Sequence, residues 1–421
     1  MKKISYLILL TSYLLLLTSC GNKKSKQFDP AKVNFTVLCN PLFDNQVYPS
    51  FLLATNQTDN STHNPLANPA NFMSELSILN CSVTSPSNNA VLRIVIDSSA
   101  YNYVTILQEI LPSRGETYTF NPSIKWKYDR LRQNRQPHPL DLTFTCYIND
   151  EETDIKNLHL SLRSVNECPL SLRLPEGSPV DTRFLFAAYV NEDHPYIQQI
   201  LTDILDQGTV PQFSGYQSSK KNAVTDQVFA VWYYTLNRGI TYSSISCTSN
   251  PSPRANVQHI RFFDEVYNTR QANCIDACVF LASILRKIGL KPIIFVEPCH
   301  AYLGYYTDKK KKNIATLETT ITSWVNFPEL RRSLDANGRL PQEQLNKISK
   351  YLSDKQLDDY TQGRLSFDDL LIAVARSLFD KASLYNQETF QANRQHFDDP
   401  SAITYQQLDI ETLRQYVQPI N

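Results

Sequence analysis

The N-terminal half of the chain alternates hydrophobic and polar positions in short runs. The clearest runs cover residues 33–39, 90–97, 142–148 and 158–163, and clusters of Asn, Pro and Ser separate them. Alternation with a period of two is typical of strands that bury one face, and such clusters are typical of turns. Because no helical pattern intervenes, we expect an all-β domain over residues 33–175, an immunoglobulin-like sandwich. It contains no cluster of His, Asp and Glu at ligand spacing, so we expect a binding or presentation module.

Beyond residue 176 the hydrophobic period becomes that of helices. Apolar residues three and four positions apart predict helices over residues 195–207, 223–237 and 274–287, each followed by a glycine. Asn273 is the expected N-cap of the third helix. Three strands should follow it, over residues 291–296, 300–306 and 313–320. A helix followed by three antiparallel strands indicates an α+β domain, which we place at residues 176–421 with helices over 341–352 and 367–385 as a C-terminal extension.

The first twenty residues read as a signal peptide. Lys2 and Lys3 precede an apolar stretch over residues 4–17, which ends in Leu-Thr-Ser-Cys20. The ending resembles the lipobox of bacterial lipoproteins, in which this cysteine is diacylated and becomes the new N-terminus. We therefore expect lipidation at Cys20, a linker over residues 21–32 and an envelope lipoprotein that faces the periplasm or the cell surface. Ordinary signal cleavage near an unrelated cysteine is the alternative.

Composition excludes several classes of protein. The chain carries 41 Lys and Arg against 41 Asp and Glu, so its formal net charge is zero and we expect no nucleic-acid partner. Only 10 of the 421 residues are glycine, which leaves little material for a nucleotide-binding loop. The expected partners are the membrane, through the diacylglyceryl group on Cys20, and a peptide or protein substrate.

Eight cysteines remain besides Cys20, namely Cys39, Cys81, Cys146, Cys168, Cys247, Cys274, Cys278 and Cys299. An oxidising envelope permits disulfides, so the four in the N-terminal half can form two bridges or stay as buried thiols. A bridge between Cys278 and Cys299, or one involving Cys247, is a further alternative. Zinc held by Cys274, Cys278, Cys299 and His300 is disfavoured, because residues 299 and 300 point to opposite faces of a strand. We expect no metal and no other cofactor.

Three residues stand where a nucleophilic site would need them. Cys274 opens a predicted helix, His300 begins a strand 26 residues further on, and Glu318 lies on the next strand. A helix N-terminus and a nearby imidazolium both stabilise a thiolate, and a carboxylate can fix the tautomer of the histidine. Adjacent antiparallel strands would make His300 and Glu318 cross-strand neighbours. The pattern predicts a Cys-His-Glu site for attack on an amide carbonyl.

The same segments resemble the transglutaminase-like superfamily. The segments are NCIDACVFLASILRKIGLKP at residues 273–292, CHAYLGYY at 299–306 and LETT at 317–320. The family has a cysteine that opens a helix ending in Gly-(Ile/Leu)-x-Pro, a His-Ala-aromatic strand, and Leu-Asp-x-Thr. The resemblance covers roughly residues 185–325 and implies a papain-like fold, with Cys274 as nucleophile, His300 as base and Glu318 where the family usually has Asp. Cys299 stands where many members have Gly.

The resemblance also extends upstream and implies a function. The segment from Gly239 through Tyr242 resembles the one before the catalytic cysteine of bacterial members, so Tyr242 and Asn273 are expected to support the site. The implied activity is that of a cysteine hydrolase or acyltransferase that cleaves or transfers amide bonds through a thioester. A catalytically silent surface protein that keeps the fold for binding or scaffolding is the alternative. The sequence leaves this choice open.

Overall fold

A computed structural model describes residues 33–55, 77–244, 248–399, 402 and 404–420 of the chain. The predicted signal peptide at residues 1–20, the linker at residues 21–32 and the lipidation residue Cys20 lie outside the described residues, as does Cys247.

The first described part of the chain consists mainly of strands. Its elements in chain order are β1 (Phe35–Cys39), β2 (Gln46–Val47), α1 (Pro49–Thr55), β3 (Leu79–Thr84), β4 (Ala90–Ile96), β5 (Thr105–Leu111), β6 (Thr117–Phe120), α2 (Tyr128–Gln133), β7 (His138–Ile148) and β8 (Glu151–Leu162). They form one sheet in the order β1-β3-β6 and another in the order β2-β8-β7-β4-β5. The four alternating runs predicted from the sequence correspond to β1, β4, β7 and β8.

Alternation sets which face of these strands is buried. Along β4, residues Leu92, Ile94 and Ile96 are buried while the residues between them are partly exposed. Phe35 of β1 and Phe144 of β7 are buried in the same core. Successive side chains of a strand point to opposite faces, so the period that predicts each strand also decides its inner face.

The remaining chain mixes strands and helices. Its elements are β9 (Glu167–Arg173), β10 (Pro179–Asp181), a 3₁₀ helix (Arg183–Tyr189), α3 (Pro195–Asp206), α4 (Ala223–Arg238), β11 (Thr241–Tyr242), β12 (Thr248–Ser252), β13 (Ala255–His259), α5 (Phe263–Thr269), β14 (Gln271–Ala272), α6 (Cys274–Lys287), β15 (Pro292–Glu297), β16 (His300–Tyr306), β17 (Ile314–Leu317), a 3₁₀ helix (Thr320–Ser323), α7 (Phe327–Arg332), α8 (Gln342–Ile348), a 3₁₀ helix (Ser349–Tyr351), α9 (Asp354–Thr361), α10 (Phe367–Asp398), β18 (Gln406–Asp409) and α11 (Ile410–Leu413). The protein is thus a sheet-rich mixture of α and β structure.

One sheet joins the two parts of the chain. Its order is β10-β9-β13-β12, and Ser171 of β9 lies between Asp181 of β10 and Asn256 of β13. The predicted domain boundary at residue 175 falls between β9 and β10, which are antiparallel neighbours in this sheet. Residues from both predicted domains therefore share one sheet, and a cut at residue 175 would divide it.

The sheet that carries the predicted site has the order β17-β16-β15-β18. Helix α6 packs against β15 and β16, and Phe390 of α10 packs on Phe295. A Cβ at Gly304 would lie 2.4 Å from the Phe295 ring, so glycine is required there for the strand to pass beside it.

Several boundaries differ from those expected. Helix α10 continues to Asp398, well beyond the predicted end at residue 385, and β17 ends at Leu317, so Glu318 follows the strand. The tail of the chain adds β18 to the edge of β15. Among the described residues, no helix has both the length and the apolar character that a membrane crossing needs.

Candidate active site

Helix α6 places Cys274 at its N-terminus. The Asn273 side chain accepts a hydrogen bond from the Asp276 backbone N–H at 2.8 Å, and the Asp276 carboxylate accepts one from the Asn273 N–H at 3.0 Å. These reciprocal bonds form a capping box and fix the first turn of the helix. Asn273, predicted as a supporting residue, therefore acts as the cap that positions the thiol at the positive end of the helix dipole.

A buried ion pair secures this cap. Asp276 is fully buried, and Arg261 donates to its carboxylate both from Nη1 and from the backbone N–H, each at 2.8 Å. Burial raises the pKa of the Asp276 carboxyl, although the donors from Asn273 and Arg261 oppose that rise. The sequence interpretation missed this pair. An acidic residue three positions after an N-cap is the signal that could have revealed Asp276, whereas nothing local indicates Arg261.

The structure brings His300 and Glu318 together. His300 opens β16, and its Nε2 lies 2.9 Å from Oε2 of Glu318. Because the carboxylate engages Nε2, Nδ1 is the ring nitrogen left for a proton from a thiol. Glu318 itself is only 2 % exposed.

Two further donors fix the Glu318 carboxylate. Its Oε1 accepts from the Thr320 backbone N–H at 2.9 Å and from the Thr320 hydroxyl at 2.7 Å. The Glu318 backbone N–H donates to the Ala382 carbonyl oxygen of α10 at 3.1 Å. The carboxylate is thereby held in one orientation with one oxygen left for histidine. Thr320, which begins the short 3₁₀ helix, was not among the predicted residues.

His300 and Glu318 are not directly opposite each other, as the sequence interpretation assumed. The last pair of the β16–β17 ladder is Leu303 with Leu317, so continuing the register would set Tyr302 across from Glu318. The contact from His300 to Glu318 is therefore a diagonal one, over a longer distance than a directly opposed pair. The extra methylene of glutamate spans that difference.

Electrostatics link the three residues. Burial alone would lower the pKa of His300, but hydrogen bonds with the Cys274 and Glu318 side chains raise it to about 10. Burial acts to raise the pKa of Glu318, yet His300 and the Thr320 donors hold it below its ordinary value. A protonated imidazole is thus favoured between the thiol and the carboxylate at neutral pH, which is the arrangement that activates a thiol.

Cys274 and His300 line an open cleft of about 570 Å³. One wall comes from α6 and the β15–β16 hairpin and includes Cys274 and His300. The opposite wall is the open face of the β10-β9-β13-β12 sheet, which contributes mostly polar residues, namely Ser171, Arg173, Asp181, Thr248, Asn256 and Gln258. The predicted site therefore faces solvent across a polar surface that the sequence interpretation did not anticipate.

Tyr242 also lies at the cleft. It ends β11, which pairs in parallel with β14, the two-residue strand that leads into Asn273 and Cys274. Burial, together with the nearby Cys274 and Glu318 side chains, raises the pKa of Tyr242. Its hydroxyl is therefore a hydrogen-bond donor beside the thiol at neutral pH.

The remaining cysteines have different environments. Cys278 lies one turn after Cys274 and is buried, and this burial raises the pKa of its thiol. Cys299 is exposed in the hairpin turn, where its φ is 64°, in the left-handed region. All seven described cysteines are free thiols, so the bridges considered from the sequence are absent from the described part of the chain. Likewise, no group of three His, Cys, Asp or Glu side chains among these residues is placed to hold a metal ion.

Comparisons with models of known protein families and with curated proteins gave no match to this chain. The transglutaminase-like resemblance therefore stays a prediction from the three sequence segments. What the chain can do chemically is argued below from the geometry of the cleft.

Proposed function

We propose that the protein is a cysteine hydrolase or acyltransferase that attacks amide bonds through a thioester on Cys274. The observation that carries the proposal is His300, which lines the same open cleft as the Cys274 thiol and lies 2.9 Å from the buried Glu318 carboxylate. Nucleophile, base and orienting group thus stand in the order that this chemistry needs.

The residues divide the reaction between them. The Cys274 sulfur attacks the amide carbonyl carbon, and the backbone N–H groups of Cys274 and Ile275, at the start of α6, stabilise the oxyanion. His300 then gives its proton to the leaving amine as the C–N bond breaks. In the second half, His300 takes a proton from water or from an acceptor amine, which attacks the thioester and releases the Cys274 thiolate. Glu318 keeps the imidazole oriented throughout and favours its protonated form whenever His300 holds the proton.

The rest of the chain supports a wider proposal. We infer a papain-like, transglutaminase-like catalytic part preceded by an immunoglobulin-like sandwich, in an envelope lipoprotein anchored through acylated Cys20. The motif at Cys20 and the three segments around Cys274 support this inference. Hydrolysis is favoured over crosslinking because the cleft is open to water along a polar wall.

Alkylation rates test the catalytic proposal. We expect iodoacetamide to label Cys274 at pH 6.5 at least tenfold faster than Cys299, because a histidine oriented by a carboxylate activates a neighbouring thiol as a nucleophile. His300→Ala should remove this advantage. Cys299→Ser is the matched control, since it deletes an exposed thiol of the same cleft and should leave Cys274 labelling unchanged. Equal labelling of the two thiols would favour a silent binding protein.

A further inference from the structure

The ionic groups that line the cleft are not all neutralised. Arg183 donates to both oxygens of Asp181, at 2.8 and 3.0 Å, and these two side chains are largely buried. Their charges compensate each other. Arg173 on β9 and Glu297 on β15 also line the cleft, and neither has an ion-pair partner within the described ranges. The cleft therefore holds one uncompensated cation on the sheet wall and one uncompensated anion on the histidine wall.

Glu297 is fixed beside the catalytic histidine. It is the last residue of β15, and His300 is its direct partner across the hairpin. One of its oxygens, Oε1, accepts hydrogen bonds from the Tyr302 hydroxyl at 3.2 Å and from the Asn393 amide at 3.0 Å. Both donors are neutral, so they orient the carboxylate without cancelling its charge. Among the described residues, no hydrogen bond engages the second oxygen, Oε2.

The charge balance around the thiol favours a cation. The His300 imidazolium offsets Glu318, which leaves the Cys274 thiolate and Glu297 as excess negative charge. When the thiolate becomes a neutral thioester, His300 has passed its proton to the leaving amine, so Glu297 and Glu318 both keep a negative charge. An ammonium group, with three donors and no acceptor, fits such a carboxylate.

We propose that Glu297 is a specificity residue which selects amide substrates carrying an ammonium group on the His300 side of the scissile bond. The proposal rests on the proposed function, because it names the substrate class of the same cleft. Arg173 confines this preference to the histidine wall, since a cation on the sheet side would meet a like charge. The substrate class is therefore a lysine-like or amino-terminal peptide amine placed near the reacting amide.

Charged thiol reagents test this preference without a known substrate. In a Cys299→Ser background, Cys274 is treated with 2-aminoethyl, ethyl and 2-sulfonatoethyl methanethiosulfonate. Each modification rate is divided by the rate at which the same reagent modifies N-acetylcysteine, which removes differences in intrinsic reactivity. In every case the thiolate attacks the sulfenyl sulfur and methanesulfinate leaves. We expect Glu297→Gln to lower the ratio of aminoethyl to ethyl rates roughly fivefold, the size of one partly exposed charge pair. In the parent protein, 1 M salt should reduce the same ratio.

Asp193→Asn is the matched control, because it removes one negative charge at the opposite end of α6, where Asp193 pairs with Lys287. The ratio of aminoethyl to ethyl rates in this variant should equal that of the parent protein. An unchanged ratio in Glu297→Gln, an equal fall in both variants, or a ratio insensitive to salt would each overturn the inference. Slow reaction of Cys274 with all three reagents would instead overturn the proposed function, since the ratio can be measured without turnover.

Discussion

At the scale of single residues, the identity of residue 318 follows from where a strand pair ends. The β16–β17 ladder stops at Leu303 and Leu317, so the carboxylate must reach His300 along a diagonal. Glutamate has the length for this, and the two donors of Thr320 hold it at 2.9 Å from the ring. The sequence analysis named Glu318 itself, and the register explains why a side chain of this length reaches the ring.

Shortening this side chain should therefore damage the site, even though the resembling family carries aspartate at this place. We expect Glu318→Asp to lower the alkylation rate of Cys274 at neutral pH by roughly ten- to a hundredfold, because a hydrogen bond to a charged group contributes about 1.5–3 kcal/mol. Glu318→Gln keeps the length of the side chain, so it should preserve the orientation of the His300 ring better than Glu318→Asp does, although the carboxylate charge is lost. An undiminished rate in Glu318→Asp would show that the diagonal contact is dispensable.

The raised pKa of His300 predicts a pH dependence of stability. Its protonated form is favoured in the folded state, so this stabilisation is complete below pH 6.5 and is lost as the pH rises through about 10. Glu318 has a lowered pKa, so its share is present above pH 4.5 and is lost on acidification. The free energy of unfolding of the parent should exceed that of His300→Gln by more at pH 6 than at pH 10.

Denaturant titrations of both proteins at the two pH values measure this difference. His159→Gln is a suitable control, because His159 lies 2.7 Å from Asp141 but both side chains are mostly exposed. Exposed pairs contribute little, so its difference should stay small at both pH values. If the difference in free energy of unfolding between the parent and His300→Gln grew toward pH 10, the predicted direction of the pH dependence would be wrong.

At the scale of elements, helix α6 sets the direction in which the thiol is presented. Its first turn depends on the reciprocal Asn273–Asp276 bonds, and Arg261 ties that turn to the end of the β13–α5 connection. The cap thus serves stability and reactivity at once. Caps elsewhere in the chain, such as Ser353 at the start of α9, serve stability alone.

Removing the two caps should separate these effects. Asn273→Ala and Ser353→Ala should each cost about 1 kcal/mol of stability, the usual contribution of an N-cap, as measured by denaturant unfolding. Only Asn273→Ala should also slow Cys274 alkylation, because only that helix carries the thiol. Equal alkylation rates in the two variants would mean that the cap does not position Cys274.

The elements also show what the sequence can and cannot reveal. Helix α6 was predicted with its observed bounds because it has a cap, a regular apolar stripe and a terminal glycine. The β10-β9-β13-β12 sheet was missed. Its strands contain proline, asparagine and serine, and Ser171 meets Asn256 across 85 positions of sequence. Non-local pairing of short polar strands leaves no local period, so the polar wall of the cleft was not foreseeable.

At the scale of the whole molecule, the tail of the chain ties distant parts together. Gln418 bonds to the carbonyls of Leu53 and Ala54 of α1, and β18 lies along the edge of β15. Glu192 accepts hydrogen bonds from Arg414 in the tail and from Arg286 near the end of α6. One partly buried carboxylate therefore connects the tail to the helix that carries the nucleophile.

This connection should fail on acidification. Burial acts to raise the pKa of Glu192, but Arg414 and Arg286 together lower it from 4.5 to about 2. The stabilisation is therefore present above pH 4.5 and is lost as the pH falls through about 2. A shift of this size corresponds to about 3 kcal/mol, so Glu192→Gln should lower the free energy of unfolding by that order at pH 7 and by little near pH 2.

The neighbouring residue Asp193 provides the control. It pairs with Lys287 but is 83 % exposed, so Asp193→Asn should change stability by less than about 1 kcal/mol at either pH. If the two variants lost equal stability at pH 7, the tail would be held by its apolar contacts alone, and the link between α6 and the end of the chain would carry no electrostatic part.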